Sequence, residues 1–171
     1  RKIVFDSTKV SDLAGNFGQD EPTVTNFTLD TLSPTVEITS DVTGVAGGEI
    51  NFVIRFSEPV SDFDQSKVSL NAGAGTIDKF YPTEFDESGL PIEFNVLVVP
   101  TADSNDAIRI RVMENVAKDS AGNYNRASDV FVQRVDTTIP VIESIYVEGG
   151  AYKLGDTVTF SVRFSEEAFL R

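Results

Sequence analysis

Acidic residues recur along this chain at places where the backbone has to turn. Asp30 and Asp136 precede Pro34 and Pro140, Glu58 and Glu166 close two matching FSE runs, and Asp119 heads the stretch DSAGN, which repeats DLAGN at Asp12. Carboxylates are the main candidates for metal ligation, because the chain has no His and no Cys. Oxygen donors of this kind suit a hard cation. Calcium takes roughly six to eight oxygens at flexible geometry, and it is the natural candidate for a chain with 27 acidic residues against 14 basic ones and a net charge of -13.

The same absences limit other chemistry. Without His and Cys there are no usual zinc ligands, no cysteine nucleophile, no commonest general base and no disulfide framework. Neighbouring acids such as Asp86 and Glu87 occur, yet an acidic chain offers many such pairs and no pocket is implied, so the expectation is a protein that is not an enzyme. No stretch fits an EF-hand loop, since Asp103 to Glu114 lacks the central glycine. The negative charge repels nucleic acid and anionic lipid. The longest aliphatic run, Val96 to Val99, is far too short to span a bilayer. No secretion signal is visible, but a chain that starts inside a repeat says nothing about its destination by lacking one.

That repeat sets the organisation. Asp12 matches Asp119 at an offset of 107, Asp30 matches Asp136 and Pro34 matches Pro140 at 106, and INFVIRFSE from Ile50 matches VTFSVRFSE from Val158 at 108. Three units follow: the end of one repeat at 1–33, a complete repeat at 34–139, and the start of a third at 140–171. The linkers DTLSPT and DTTIPV are short and carry a proline, which stiffens each junction and opens the next strand.

Within the complete unit the periodicity is that of strands. Ile50, Phe52, Ile54 and Phe56 alternate with Asn51, Val53, Arg55 and Ser57, as do Ile92, Phe94, Val96 and Val98 with their neighbours, and Ile108, Ile110 and Val112 with theirs. Ile3 and Phe5 repeat the last row in the first unit. The predicted strands are A at Thr35–Thr39, B at Glu49–Ser57, C at Lys67–Asn71, D at Thr76–Pro82, E at Ile92–Pro100, F at Ala107–Glu114 and G at Asp129–Val135. Seven short strands in about 105 residues suit an all-β protein built of tandem immunoglobulin-like seven-stranded sandwiches better than a closed barrel or a solenoid.

With FSEPVSDF, KDSAGNYNRASD and VDTTIP in place, the chain resembles the bacterial Ig-like repeats of giant surface adhesins and biofilm-associated proteins. The resemblance covers the whole chain, although the third unit reads FSEEAF where the second reads FSEPVSDF. It implies a stalk or spacer module of a secreted, surface-attached protein, extracellular, often stiffened by calcium between units. Its partners would be neighbouring repeats of the same protein, and other copies in an assembly are a further option.

In such a sandwich the BC, DE and FG loops gather at the pole where the chain comes in. Asp30, Glu58 and Asp119 are therefore expected as one calcium cluster. Asp136 and Glu166 are expected as a second, with Asp103 and Asp106 reaching it from the preceding unit. The plain alternative is that Asp and Asn are ordinary turn residues, Asp119 capping its own turn while Gly122 or Asn123 takes positive φ.

Two further functions compete with the stalk. One is a module that binds a glycan or protein through its loops or a sheet face. The other is a subunit of an extracellular filament. Residues 1–33 supply only strands F and G and residues 140–171 only A and B, and half a sandwich leaves its core open. Such halves are expected either within a longer chain or completed by strands from neighbouring molecules.

Overall fold

The computed structural model describes residues 2–18 and 23–169, and at 2, 4, 5 and 23–26 the backbone alone. The expectations that rest on Phe5 as an inward side chain, on residues 19–22 and on the terminal residues 1, 170 and 171 lie outside what is described. In chain order the strands are β1 Lys2–Phe5, β2 Thr23–Asn26, β3 Val36–Ser40, β4 Val45–Ala46, β5 Ile50–Phe56, β6 Val68–Leu70, β7 Gly75–Phe85, β8 Pro91–Pro100, β9 Ile108–Val112, β10 Phe131–Val135, β11 Ile142–Val147 and β12 Phe160–Phe164. No α-helix occurs among the described residues; two single 3-10 turns, at Ser7–Lys9 and Gln65–Lys67, interrupt the strands.

The central unit stacks two four-stranded sheets, ordered β3-β5-β8-β7 and β4-β10-β9-β6. Every pairing is antiparallel except β4 with β10, which is parallel. The alternation read from sequence is what closes the two layers: Ile50, Phe52, Ile54 and Phe56 of β5 turn inward, as do Phe94, Val96 and Val98 of β8 and Ile108, Ile110 and Val112 of β9. Aromatic rings fill the end of the core nearest the incoming linker. Phe63, from the loop after β5, meets Phe56 at 5.0 Å, Phe94 at 4.9 Å and Phe80 at 5.7 Å between ring centroids. Such edge-to-face contacts favour one arrangement of the loop that carries Phe63.

Two strands differ from expectation. β4 lies within TGVAGGE, where only a turn was read; Ala46 is buried and the segment lies alongside β10, so two residues suffice to pair. β7 runs on to Phe85 rather than stopping at Pro82. It is an edge strand, and a proline there forfeits no ladder bond on its open side. Register shifts around residues 77–79 and 82–85, together with Lys79 and Pro82, break up this long edge and guard it against pairing with other chains.

The outer units repeat the register of the central one. Ile3 faces Thr25 in β1 and β2 as Ile110 faces Phe131 in β9 and β10. Ile145 faces Val162 in β11 and β12 as Ile38 faces Ile54 in β3 and β5. A register shift between Ile142 and Ser144 accommodates the residue that lifts the repeat offset from 106 at Pro140 to 107 at Ile145. Apolar side chains that the central unit buries stand open in the third: Ile38 is 8% exposed against 62% for Ile145, and Phe52 0% against 64% for Phe160.

One polar residue belongs to the core. Asn125, 2% exposed, accepts bonds from Val116 N–H and Ala117 N–H at 2.9 Å and donates to the carbonyls of Met113 and Arg126 at 2.8 Å. All four valences of its amide are used, which ties the segment after β9 to the approach to β10. Asn125→Ala strands two donors, and at about 1–3 kcal/mol for each buried unsatisfied group urea denaturation is expected to show a loss of about 2–6 kcal/mol; a loss below about 0.5 kcal/mol would show that the loop does not depend on this amide.

Candidate metal centre at the unit junction

The DSAGN turn is built around its aspartate. Asp119 N–H donates to Asn123 O at 3.1 Å, and Gly122 N–H donates to Asp119 O at 3.2 Å, with Gly122 at φ 91°. The carboxylate then accepts from Asn123 N–H at 2.8 Å on one oxygen and from Asn123 Nδ2 at 2.9 Å on the other. Asp12 and Asn16 make the same set in the first unit, with bonds of 2.8 and 2.9 Å and Gly15 at φ 88°. The capping role expected of Asp119 is therefore present. It leaves lone pairs on both oxygens, since each carboxylate oxygen can accept more than one bond.

Asp119 is 5% exposed. Burial pushes its pKa up, yet the hydrogen bonds from Asn123 and the Ala121 and Gly122 backbone outweigh this and hold it below the ordinary value, so it stays ionised. Two more acids meet it. Carboxylate oxygens of Asp30, Glu58 and Asp119 lie within 4.8 Å of one another. Asp30 comes from the linker, where its side chain accepts from Leu32 N–H at 3.0 Å, and Glu58 stands just beyond β5. Burial, then the charges of Asp119 and Asp30, push the Glu58 carboxyl up.

No basic side chain among the described residues answers these three charges. Lys118, next in sequence to Asp119, points instead to Asp62 at 2.9 Å. No donor among the described residues reaches the Glu58 carboxylate either. Three all-oxygen donors, crowded, partly buried and without a counter-charge, fit a hard cation such as calcium.

Other loop acids serve their own turns. Asp64 accepts from Ser66 N–H at 2.8 Å and Asp86 from Leu90 N–H at 2.8 Å. Glu84 and Glu93 hold the Arg55 guanidinium.

The linker is fastened on both sides. On the incoming side Asn123 Nδ2 donates to Asp30 O at 3.3 Å, Arg126 N–H to Pro34 O at 2.9 Å, and Thr35 N–H to Ser57 Oγ at 2.9 Å, with Ser57 N–H returning to Thr35 O at 2.9 Å. The third unit repeats the last pair: Val141 N–H donates to Ser165 Oγ at 3.0 Å and Ser165 N–H to Val141 O at 2.9 Å. The serine of FSE thus grips the strand that follows the linker, a role the motif did not disclose.

On the outgoing side Thr137 is held by the β8–β9 loop. Its N–H donates to Ser104 O at 2.9 Å, and its hydroxyl accepts from Ser104 N–H at 3.0 Å and lies 2.7 Å from the Thr101 carbonyl it donates to.

Asp136 and Glu166 meet across the second junction through one hydroxyl. Thr138 Oγ1 lies 2.5 Å from Asp136 Oδ1 and 3.3 Å from Glu166 Oε2. Hydrogen bonds from Thr138 hold the Asp136 carboxyl below its ordinary value. Asp103 and Asp106 join no group of three with them; Ser104, between them in sequence, is what meets the linker.

With strands A, B, E and D in one layer and C, F and G in the other, the central unit is an immunoglobulin-like sandwich. A model of the bacterial Ig-like domain family matches residues 30–134, more than half of the chain, and the chain belongs to that family. Comparison with curated proteins and with solved structures gave no match. Domains of this family are generally non-catalytic and are typically found on surface proteins. No helix among the described residues is long and apolar enough to cross a membrane.

Two outcomes follow for the junction. A folded-state pKa raised above the unfolded one means that Glu58 favours folding when protonated and opposes it as pH rises through that pKa. In chelator, Glu58→Gln is therefore expected to raise the thermal midpoint at pH 7 and to lose that advantage as acid protonates the wild-type residue; a lower midpoint at pH 7 would contradict the repulsion. Thr137→Val removes bonds worth roughly 0.5–1.5 kcal/mol each and is expected to speed amide exchange about tenfold at Ser104, with Thr137→Ser restoring protection. Equal exchange in all three proteins would show that the hydroxyl does not hold the linker.

Proposed function

We propose that this chain is a length of stalk: tandem Ig-like units of a bacterial surface protein, held in line outside the cell, whose junctions take calcium. The observation that carries the reading is the meeting of Asp30, Glu58 and Asp119 within 4.8 Å, one acid from the linker and two from the unit it leads into. A cation there would tie linker to unit, adding to the bonds that Asn123, Arg126 and Ser57 already make. Those direct bonds orient the linker by themselves; the metal would cancel the repulsion that otherwise opens the junction. The non-catalytic character of the family and the fastening of the linker on both sides support a mechanical role.

The test is a thermal melt of the chain in chelator, in millimolar magnesium and in millimolar calcium. Saturation at 100 times the dissociation constant stabilises by about 2.7 kcal/mol, so calcium is expected to raise the midpoint by several degrees and magnesium by less. Asp30→Ala and Glu58→Gln are each expected to abolish the calcium gain. Overlaid curves in calcium and chelator would mean that the acids are solvated turns and that the linker proline and direct hydrogen bonds alone set the stiffness.

A further inference from the structure

Three of the eight cations of the central unit lie together on one sheet face. Because Ile108, Ile110 and Val112 take the buried side of β9, Arg109 and Arg111 project outward. β10 adds Arg134 to the same face, diagonal to Arg109, since Val132 lies opposite Arg109 and Gln133 opposite Ile108. Strand geometry spaces the three Cβ atoms about 7 Å apart in an oblique row. All three arginines are exposed, and no carboxylate among the described residues pairs with any of them, whereas Arg55, Lys118 and Arg163 each have an acidic partner. Val130 and Val132 stand exposed beside the row. A groove of about 230 Å³ runs between Ser69, Asn71, Arg109, Arg111 and Val130.

We propose that this face docks a linear anionic polysaccharide, its carboxylate or sulfate groups meeting Arg111, Arg109 and Arg134 in succession. A guanidinium presents a planar fork that binds such anions bidentately. An evenly spaced row suits a ligand whose charges repeat. The outward residues of β6, β9 and β10 are Ser69, Arg109, Arg111, Val132 and Arg134, with no ring on which the bases of a single-stranded nucleic acid could stack. Duplex DNA carries a charge about every 1.7 Å and meets the full repulsion of a chain at -13, while a polysaccharide with one charge per sugar or two meets less. The edges of this sheet are β4 and β6, of two and three residues, too short to recruit an added strand. Arg134 shares a cavity with the junction acid Asp136, whereas Arg109 and Arg111 line a groove without a carboxylate; the proposal does not depend on the stalk reading.

The experiment measures binding of the whole chain, in chelator so that the junction acids bring no metal, to immobilised polygalacturonate, dextran sulfate, neutral dextran, duplex DNA and poly-glutamate. Binding is expected to one or both anionic polysaccharides and not to dextran, weakening several-fold between 50 and 200 mM salt. Which of the two binds tells carboxylate from sulfate. Arg109→Ala and Arg111→Ala are each expected to cost about tenfold, with Arg109→Lys losing less, and circular dichroism checks that these surface variants stay folded. No binding to either polysaccharide, equal binding to dextran, tighter binding to DNA or poly-glutamate, or unchanged affinity in folded arginine variants would each overturn the proposal.

Discussion

A carboxylate that is 5% exposed stays charged only where hydrogen bonds answer it, and the turn that buries Asp119 supplies them. Asn123 is the centre of that answer. Its backbone and side chain hold both oxygens of Asp119, its own carbonyl closes the turn, and its remaining amide proton reaches the linker at Asp30 O. One residue therefore keeps the acid ionised, shapes the loop and fixes where the incoming chain lies. The crowding of Glu58 against Asp119 and Asp30 is a consequence of that geometry, and burial, then the charges of those two acids, push its carboxyl pKa up.

The two junctions share a frame and differ in one position. In both, a linker aspartate accepts from the N–H two residues on, and the serine of FSE pairs with the residue after the proline. Leu32 at the first junction corresponds to Thr138 at the second. Leu32 brings no side-chain donor, so no hydroxyl stands between Asp30 and Glu58. Thr138 places a hydroxyl between Asp136 and Glu166, and because it has a single proton it can satisfy only one of them at a time. The same backbone thus presents acids with no bridging hydroxyl at one junction and hydroxyl-bridged acids at the other.

The period and the alternation of apolar residues were enough to read the sandwich, because both depend on spacing alone. The grouping of Asp30, Glu58 and Asp119 was also legible, since a repeat that starts with a linker must bring that linker to the loops at the same pole. Asn125 was not, for an asparagine after a turn looks like part of the turn until the carbonyls around it are placed. Nor was the length of β7: Pro82 reads as a stop, and only its place at a sheet edge makes it permissible. That Ser104 is the residue of the β8–β9 loop that meets the linker was not legible, because position in sequence near a pole does not fix which backbone Thr137 takes. The arginine row is split between β9 and β10, so its continuity exists only in the register of the two strands.

Charge in the central unit is sorted by where the backbone can tolerate it. Most acids sit on loops, where turn N–H groups can cap them, as Asp64, Asp86 and Asp119 show. Every arginine of the unit but Arg126 sits on a strand, where a long aliphatic stem lies over the sheet and the head reaches water. Where both signs share a sheet face, as Arg55 does with Glu84 and Glu93, they neutralise each other and nothing is left for a partner. On the opposite sheet no acid shares the outward positions of β9 and β10, and the cationic face persists in a strongly acidic chain. At the usual ionic strength charges act over about 8 Å, so the pole and this face present different surfaces to what approaches them, and net charge describes neither.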